Sequence, residues 1–429
     1  MNSESEAPQP TVPEDTAVEP AVQAAHVLVN VIDTREEYLE AVAAIAAGEG
    51  PIAIDAERAS GYRYSQRAYL IQIFRRGAGT FLLDPPAIGP MTELGDVIAP
   101  IEWILHAASQ DLTCLREVGL DPTRIYDTEL AARLAGLPRV GLGTVVEELL
   151  GIHLAKEHSA ADWSTRPLPQ AWLVYAALDV ELLVDLREKM GELLESAGKT
   201  HIAEQEFDSV LHRDFTVVRH EPWRRLSGLH SVRGQRNLAV ARELWLARDA
   251  YAREIDTAPG RLVPDAALTA AARVLPATKR DLAALKEFTG RASRSQLDRW
   301  WAAIEAGSAS TDLPAVRAQG ESVPPPRVWS EKNPLADKRL KAARASLTEA
   351  AEELSLPVEN LLTPDSLRRV AWTPPEPATV ETIGEALIAL GARDWQVDAT
   401  AQRIADSFVE ASAFVEASQT IEEPAEPSS

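Results

Sequence analysis

Residues 51–58 read PIAIDAER, and the order of apolar and acidic residues in this stretch decides how the rest of the chain is interpreted. Residues 52–54 are apolar on both faces of an extended chain, which is typical of a strand inside a sheet that is covered on both sides. At the end of this strand Asp55 and Glu57 are two residues apart, so their carboxylates point to the same face. Because like charges side by side repel each other, the pattern predicts either a solvated strand end or a place where a cation binds.

Two further segments place acidic residues on or next to predicted helices. In ILHAASQDL an apolar run ends at His106, and Asp111 falls in the first turn of the following helix, where an acid often complements the helix dipole. In YAALD, Tyr175 and Asp179 are four residues apart and therefore share one face of a helix. Either segment alone is equally typical of an ordinary amphipathic helix.

Taken in order, the three segments predict one site that four acids and a phenol share. Four carboxylates do not share a site without cations, and oxygen ligands in that number suit Mg²⁺ or Mn²⁺ better than zinc. The chain has one cysteine, Cys114, so no multi-cysteine zinc site competes with this interpretation. Two such ions about 4 Å apart form the arrangement that is used for in-line attack on phosphodiesters.

The composition is that of a globular protein with several domains. A chain of 429 residues is too long for one ordinary core, and 45% hydrophobic with 25% charged residues is typical of soluble proteins. The sequence has no apolar run near the roughly 20 residues that cross a bilayer, and its N-terminus lacks the basic and apolar regions of a secretory signal. We therefore expect a cytoplasmic protein with no membrane partner and no internal disulfide framework.

The net charge of −22 is unevenly distributed along the chain. Residues 1–25 contain five acids and residues 405–429 contain six, with no lysine or arginine in either segment. Both ends are rich in Pro, Ala, Ser and Glu, which predicts disordered acidic tails over residues 1–25 and 409–429. Residues 211–300 instead hold 17 basic residues against 10 acidic ones. This middle region is either a solvated helical surface or a surface that binds phosphates.

Predicted strands and helices are mixed between residue 26 and about residue 193. HVLVNVI, IAID, YLIQIF, TFLLD and IEWILHA have the apolar patterns of strands, and RRGAG is a predicted hairpin turn. REEYLEAVAAIAAG is a predicted helix, SQDLTCLREVG is a second one that begins at Ser109, and the chain from DTELAARLAG onward is mostly helical. A strand meander followed by strand–helix alternation predicts a mixed sheet flanked by helices.

The rest of the chain is predicted to be helical, in two blocks joined by a Pro-rich linker at residues 306–330. Pro264-Asp265 in the first block is matched by Pro364-Asp365 in the second, and each Asp precedes a predicted helix that it is placed to cap. The sequence therefore predicts two copies of a small all-α domain, the second of them diverged.

These segments, in this order, resemble a known family. IAIDAER, ILHAASQDL and YAALD resemble the three motifs of the DEDDy 3′–5′ exonucleases, and YLIQIF, DTELAARLAG and DWSTRPL are similar to segments of ribonuclease D. The two helical blocks are similar to HRDC domains. The resemblance implies an RNase H-like α/β exonuclease domain at residues 26–210, an HRDC domain at 211–305 and a second, diverged HRDC-like domain at 331–408.

The resemblance also implies a role for each acid and for the tyrosine. Asp55 would bridge two divalent ions, and Glu57 and Asp179 would hold the ion that activates water. Asp111 would support the second ion, largely through water. Tyr175 would position the attacking water, because an ordinary phenol with a pKa near 10 is a poor base at neutral pH.

Two residues depart from the pattern of the family. Arg58 follows the acidic pair, where many relatives carry an aromatic or apolar residue, and Gln110 precedes Asp111, where an acid is common. Neither departure removes a ligand. They affect the expected substrate preference and rate rather than the expected chemistry.

Four other residues are candidates for contact with nucleic acid, and three of them have a structural alternative. Gln72 alternates with apolar residues in a strand and faces either the site or solvent. His106 contacts the nucleotide or is a core residue at a strand end. Trp163 and Arg166, in DWSTRP, stack on a base and bind phosphate, or else Trp163 packs the loop against the catalytic helix.

The sequence thus predicts a 3′–5′ exoribonuclease that trims structured RNA, with tRNA precursors as the substrate that the resemblance favours. Nucleoside 5′-monophosphates would be released with two Mg²⁺ or Mn²⁺ ions as cofactors, and a monomer is expected. One alternative is the same chemistry on single-stranded DNA, since recognition of the 2′-OH needs only one or two contacts. Another is a catalytically inactive RNA-binding scaffold, whose expected mark is a lost ligand. All four acids and the tyrosine are present.

Overall fold

The computed structural model describes residues 30–154, 160–215, 220–316 and 323–422, with side chains up to residue 413. The predicted acidic tail at residues 1–25 lies outside the described residues. Among the residues that are described, every helix is too short or too polar to cross a lipid bilayer.

A mixed sheet forms the centre of the first domain, as the sequence predicted. Its strands, in the spatial order β1-β4-β3-β2-β5-β6, are β1 (Val31–Ile32), β2 (Glu49–Arg58), β3 (Ala68–Arg76), β4 (Gly79–Leu83), β5 (Trp103–Leu105) and β6 (Ile125–Asp127). Strands β2, β3 and β4 pair as an antiparallel meander, while β1, β5 and β6 pair in parallel with their neighbours. Asp55 and Glu57, the first two acids of the predicted site, lie in β2 of this meander.

Helices cover the sheet in the described part of this domain. They are α1 (Arg35–Ala46), α2 (Pro85–Ile88), α3 (Thr92–Ile98), α4 (Leu112–Glu117), α5 (Thr128–Leu134), α6 (Leu142–Leu150), α7 (Gln170–Glu181), α8 (Leu183–Ser196) and α9 (Thr200–Leu211). Several begin with a side-chain cap, for example Thr34 at α1 and Asp127 at α5, each of which accepts from backbone N–H groups of the first turn.

The structure differs from the predicted elements of the sheet domain in several places. Strand β6 was missed, because three residues are too few to show a periodicity, and its pairing with β5 is a tertiary effect. The long predicted helix after residue 169 is two helices, α7 and α8, separated at Leu182. The helix predicted from Ser109 begins later: a 3₁₀ turn precedes α4, and the carboxylate of Asp127 accepts hydrogen bonds from Ala107 N and Ala108 N.

The first helical block has a hydrophobic core of its own. Its helices are α10 (Gln235–Glu254), α11 (Pro259–Leu262), α12 (Asp265–Val274), α13 (Lys279–Ala283), α14 (Arg291–Ser295) and α15 (Leu297–Ala309). Leu244, Leu268, Phe288 and Trp300 are fully buried in this core, which is separate from the core of the sheet domain. Helix α15 ends at Ala309, a few residues beyond the predicted boundary.

The second helical block also consists of helices alone in its described residues. Its helices are α16 (Trp329–Lys332), α17 (Pro334–Glu353), α18 (Val358–Leu361), α19 (Pro364–Trp372), α20 (Val380–Ala389) and α21 (Asp394–Glu422). Helix α17, like α10, has 20 residues; it packs against α19 and α21, as α10 packs against α12 and α15. The repeat itself stays a prediction.

The predicted capping by the two matched aspartates is wrong, because each carboxylate binds arginine instead. Asp265 accepts from Arg248 Nη1 at 2.7 Å, and Asp365 accepts from Arg369 Nε at 2.6 Å. Neither α12 nor α19 has a side-chain hydrogen bond at its N-cap.

The second helical block shares one continuous core with the sheet domain. Glu206 of α9 accepts two hydrogen bonds from Arg393, at 2.6 and 2.7 Å, and one from the indole N–H of Trp395 at 2.8 Å. Gly136, at φ +82°, lies so close to this block that a Cβ atom there would be 2.8 Å from the carbonyl oxygen of Ser355. The two helical blocks are therefore attached differently: one is fused to the sheet domain and the other is not.

The predicted boundary between the second helical block and the disordered tail, after residue 408, is also wrong. Helix α21 continues to Glu422, and Ala411 is still buried, because the apolar face that includes Phe408 extends past the predicted end. Residues 423–429 lie outside the described part of the chain.

Candidate active site

The acidic pair lies within β2 rather than at its end. Strand β2 continues to Arg58, whereas its parallel neighbour β5 pairs only with Ile52 and Ala53. Beyond that point β2 is paired on one side alone, with β3, where Asp55 lies opposite Gln72. The short β5 therefore leaves an open edge beside Asp55 and Glu57, and the pocket forms there.

Helix α7 brings the third acid and the phenol to the same place. It packs on β2, β3 and β4 and carries Tyr175 and Asp179. One carboxylate oxygen from each of Asp55, Glu57 and Asp179 lies within 4.8 Å of the other two. Residues far apart in the sequence thus meet at one point.

Asp111, at the start of α4, completes the group. It is the N-cap residue of α4, but its buried carboxyl makes no capping bond and instead hydrogen-bonds to Asp55. The guanidinium of Arg58 lies 3.9 Å from the same carboxyl. The side chain therefore belongs to the site rather than to the helix end, which decides between the two interpretations left open by the sequence.

Burial favours the protonated form of these acids. Loss of solvation raises the pKa of Glu57 to about 10, with the charges of Asp55 and Asp179 adding to the effect. The same cause raises the pKa of Asp179 to about 8 and raises the pKa values of Asp55 and Asp111. A bound cation would neutralise the negative charge of these carboxylates once they ionise.

Tyr175 is a neutral hydrogen-bond donor. Burial raises its pKa, and the neighbouring carboxylates of Asp179 and Glu57 raise it further because they disfavour a phenolate. Its hydroxyl donates to Asp179 and lowers the pKa of that acid. The phenol can therefore orient a ligand or a water molecule at neutral pH but is a poor base.

A pocket of about 540 Å³ contains the whole group. All five residues of the predicted site line it, and so does His106. The Nδ1 atom of His106 lies 2.9 Å from the hydroxyl of Thr128, and burial lowers the pKa of the imidazole to about 4. His106 is therefore neutral at pH 7 and is positioned to meet a ligand in the pocket.

The other predicted RNA contacts do not reach the pocket. Trp163 is fully buried, with its ring centroid 5.3 Å from that of Trp172, so it packs the loop and has no face free for a base. The guanidinium of Arg166 donates to both oxygens of Asp84, at 2.6 and 3.0 Å, and to the carbonyl of Tyr69. Trp163 thus follows its structural alternative, and Arg166 binds Asp84 instead of lining the pocket.

Gln72 is buried on the same face of the sheet as Asp55, since the two are cross-strand partners. It reaches neither the pocket wall nor solvent. Its amide nitrogen and oxygen have no hydrogen-bond partner within the described ranges of the chain.

Sequence reasoning did not place Arg58 or Tyr62 among the site residues, although it noted Arg58 as a departure from the pattern of the family. A register irregularity between Glu57 and Arg58 changes the direction of the side chain, as bulges near active sites often do. The sequence did hold a signal for Arg58, because many relatives carry an aromatic or apolar residue at this position. Tyr62 lies in a loop without a recognisable motif, and nothing in its neighbourhood in the sequence pointed to the pocket.

The donor set fits a hard divalent cation. The clustered ligand atoms are all carboxylate oxygens, without sulfur or imidazole nitrogen among them, and Mg²⁺ and Mn²⁺ prefer such ligands. Such a cation would also replace the protons that burial now holds on these acids.

Family models match three parts of the chain. A model described as a 3′–5′ exonuclease matches residues 29–195, and an HRDC domain model matches residues 237–304. A model described as a 3′ to 5′ exonuclease C-terminal domain matches residues 322–408. The first helical block is thus an HRDC domain, while the interpretation of the second block as a diverged HRDC copy stays a prediction.

Whole-chain comparisons agree with these matches. The ribonuclease D of Jannaschia sp. (strain CCS1) is 32% identical over 301 residues, which are 68% of this chain and 74% of the relative. The crystal structure of Escherichia coli RNase D is 27% identical with a TM-score of 0.64, covering 84% of this chain and 98% of that one. A structure of a protein from Bifidobacterium adolescentis is 36% identical with a TM-score of 0.80, covering 89% and 97%. The chain belongs to the ribonuclease D family, and it is a 3′–5′ exoribonuclease.

Proposed function

We propose that this exoribonuclease hydrolyses the 3′-terminal phosphodiester with two divalent ions, Mg²⁺ or Mn²⁺. Asp55, Glu57 and Asp179 would hold one ion, and Asp55 with Asp111 would support the other. When bound, the ions supply an activated water and neutralise charge on the phosphate. The observation that carries this proposal is the convergence of three carboxylates within 4.8 Å beside a fourth.

Residues of the chain itself would bind the ions, orient the attacking water and contact the nucleotide. Asp55, Glu57, Asp111 and Asp179 give up protons so that they can act as ligands. Tyr175 stays neutral and orients the attacking water through its hydroxyl. His106 contacts the terminal nucleotide from the pocket wall. The products would be nucleoside 5′-monophosphates.

We further propose that the substrate is structured RNA, with tRNA precursors as the first candidate. The matched E. coli enzyme is described as an exoribonuclease involved in structured RNA processing. In this chain the HRDC domain lies in the basic region, and Arg280, Lys286, Arg291 and Arg294 are exposed on it. Positive charge there would hold the RNA body, while the acidic pocket takes the 3′ end.

The test of the chemistry is hydrolysis of a 3′-labelled tRNA precursor with Mg²⁺, with Mn²⁺ and with a chelator. We expect release of labelled 5′-monophosphate that needs a divalent ion, and a loss of at least about 10³-fold in rate for Asp55→Asn. Asp185→Asn is the matched control, because Asp185 is an exposed acid that pairs with Arg76 outside the pocket. Retention of most activity by Asp55→Asn would reject the assignment of the site.

Two further experiments test the choice of polymer and the role of the HRDC domain in RNA binding. Matched RNA and DNA oligonucleotides decide the polymer, and equal rates on both would reject a preference for RNA. Replacing Arg280, Lys286, Arg291 and Arg294 by Gln should flatten the salt dependence of RNA binding by up to about 0.7 per lost phosphate contact. An unchanged slope would show that the HRDC domain does not hold the RNA. Binding of RNA without hydrolysis under any metal would identify a scaffold.

We propose that the enzyme works as a monomer, because one chain supplies all four acids and the tyrosine. Light scattering during size exclusion should give the mass of a single chain, 46.7 kDa. A dimer that dissociates only with loss of activity would contradict this.

A further inference from the structure

The loop that joins β2 to β3, residues 59–67, forms one wall of the active-site pocket. It follows the acidic pair directly, and its residues Ser60, Gly61 and Tyr62 line the pocket. We call residues 59–67 the rim loop. Tyr62 is half-buried and brings an aromatic ring to the wall of the pocket that the acids share.

The HRDC domain holds this part of the rim loop in place. The guanidinium of Arg261, in α11, lies over the ring of Tyr62 at 3.8 Å from the centroid. The Nε of Arg261 donates to the carbonyl of Gly61 at 2.7 Å, and the N–H of Ala258 donates to the carbonyl of Tyr62 at 2.9 Å. Both the ring and the backbone of Tyr62 are therefore positioned from another domain.

The same domain fastens the rest of the rim loop. The hydroxyl of Tyr64 contacts Asp249 at 3.1 Å and accepts from Arg253 at 3.0 Å. The N–H of Ser65 donates to Asp256 at 2.8 Å. The contacts are mostly polar, and the HRDC domain has its own core, so these bonds are not what holds that domain together.

The pocket needs a contact of this kind. The acids, the cations that they would bind and Arg58 all act on phosphate, so the base of the terminal nucleotide needs a contact of another kind. A base stacks on any exposed aromatic face with little regard to its identity. A guanidinium on one side of a tyrosine ring restricts its orientation and leaves less freedom to be lost when a base binds.

We propose that the HRDC domain completes the active site: Tyr62 is a stacking surface for a base at the RNA 3′ end, and Arg261 is the positioning residue that holds it. This rests on the exoribonuclease activity of the pocket. The HRDC domain then has a role at the reacting end of the RNA in addition to any contact with the RNA body.

Substrate length separates these two roles. A tetranucleotide that occupies the pocket is too short to depend on the basic HRDC surface, whereas a tRNA precursor can use both. The variants Tyr62→Leu, Tyr62→Phe, Arg261→Ala and Arg261→Lys would be compared in the full chain. Arg280→Ala is the control, since Arg280 is an exposed HRDC residue on α13 rather than at the rim loop.

We expect Tyr62→Leu to raise KM for the tetranucleotide about tenfold with a smaller change in kcat, the size of one lost stacking contact. Tyr62→Phe keeps the ring and should remain within about twofold of the wild type. Arg261→Ala should raise KM for the same tetranucleotide severalfold, and Arg261→Lys should recover part of this. Arg280→Ala should affect only the precursor.

A binding measurement tests stacking without turnover. A tetranucleotide with 2-aminopurine at its 3′ end, bound to an Asp55→Asn background with Ca²⁺, should lose fluorescence on stacking, and Tyr62→Leu should abolish this quenching. Wild-type hydrolysis of the tetranucleotide shows separately that the pocket is an exonuclease. Unchanged KM and quenching in Tyr62→Leu would overturn the proposal. An effect of Arg261→Ala confined to the precursor would overturn the positioning role.

Discussion

Asp111 and Asp55 share a hydrogen bond between their carboxyl groups, although they come from different elements of the fold. Two carboxyls can bond in this way only when one of them holds a proton. Burial raises the pKa of both carboxyls, which favours the protonated form that the bond requires. The metal-free site is therefore a protonated site, and occupation by a cation must release protons.

Proton release on metal binding is the first prediction. At pH 7 Glu57, with a pKa of about 10, and Asp179, with a pKa of about 8, both hold protons that Mg²⁺ must displace. Calorimetric titrations with Mg²⁺ in buffers of different ionisation enthalpy should show net release at pH 7 and less at pH 9, where Asp179 is already ionised. Asp111→Asn should release fewer protons. The same heat in every buffer would contradict the prediction.

The stability of the metal-free protein should fall as pH rises. The folded-state pKa values of Glu57 and Asp179 lie above those of the unfolded chain, so the folded state binds more protons between about pH 4 and their folded values. The free energy of unfolding should therefore decrease as the pH rises through this window. Added Mg²⁺ should increase it again, most strongly at the alkaline end. Thermal unfolding at pH 6 and pH 9, with chelator and with Mg²⁺, measures both effects. Asp179→Asn should reduce the pH dependence, and a metal-free protein that is more stable at pH 9 would refute the argument.

Arg58 is expected to act on the phosphate. Its guanidinium lines the pocket 3.9 Å from Asp111, where it is preorganised to meet negative charge that develops in the transition state. Arg58→Ala should lower kcat by about 10²-fold in saturating Mg²⁺, and Arg58→Lys should retain part of the rate. Mg²⁺ should bind Arg58→Ala at least as tightly as the wild type, because a repelling cation is gone. Weaker Mg²⁺ binding with unchanged kcat would show that Arg58 only organises the acids.

Tyr175 is expected to position water rather than to remove its proton. Burial and the neighbouring carboxylates raise its pKa, so the phenol stays neutral through the alkaline range. Tyr175→Phe should reduce kcat by about 10²-fold and leave the alkaline side of the pH–rate profile unchanged up to pH 9. An inflection that is present in the wild type and absent from the phenylalanine variant would instead identify Tyr175 as a base.

Glu206 should be a determinant of stability without being part of the active site. It is buried and bonds both Arg393 and Trp395 of the second helical block. Glu206→Ala leaves a guanidinium and an indole N–H without their acceptor and should cost about 3 kcal/mol of unfolding free energy. Glu188→Ala removes an exposed partner of Arg76 and should change stability by less than about 1 kcal/mol. Chemical denaturation compares them, and equal effects would contradict the expected difference.

The fold class could be predicted from local patterns because it depends on them. Apolar runs of strand length in β2, β3 and β4 and the helical spacing of the later segments are properties of neighbouring residues, and the mixed sheet follows from their order. Strand β6 could not be found in this way, since three residues become a strand only through their pairing with β5. The end of α21 was misplaced because composition does not reveal that Ala411 still has a surface to pack against.

The sequence by itself determined the family, the order of the domains and the acidic type of the metal-ligating residues. These features depend only on which residues occur and how they are spaced along the chain. Only the tertiary structure decided which side chains reach the pocket. Trp163 and Arg166 were suggestive in sequence and are occupied elsewhere, while Tyr62 was inconspicuous and lines the site. The physical reason is that burial, register and contact between domains depend on residues distant in the chain, and no local pattern records them.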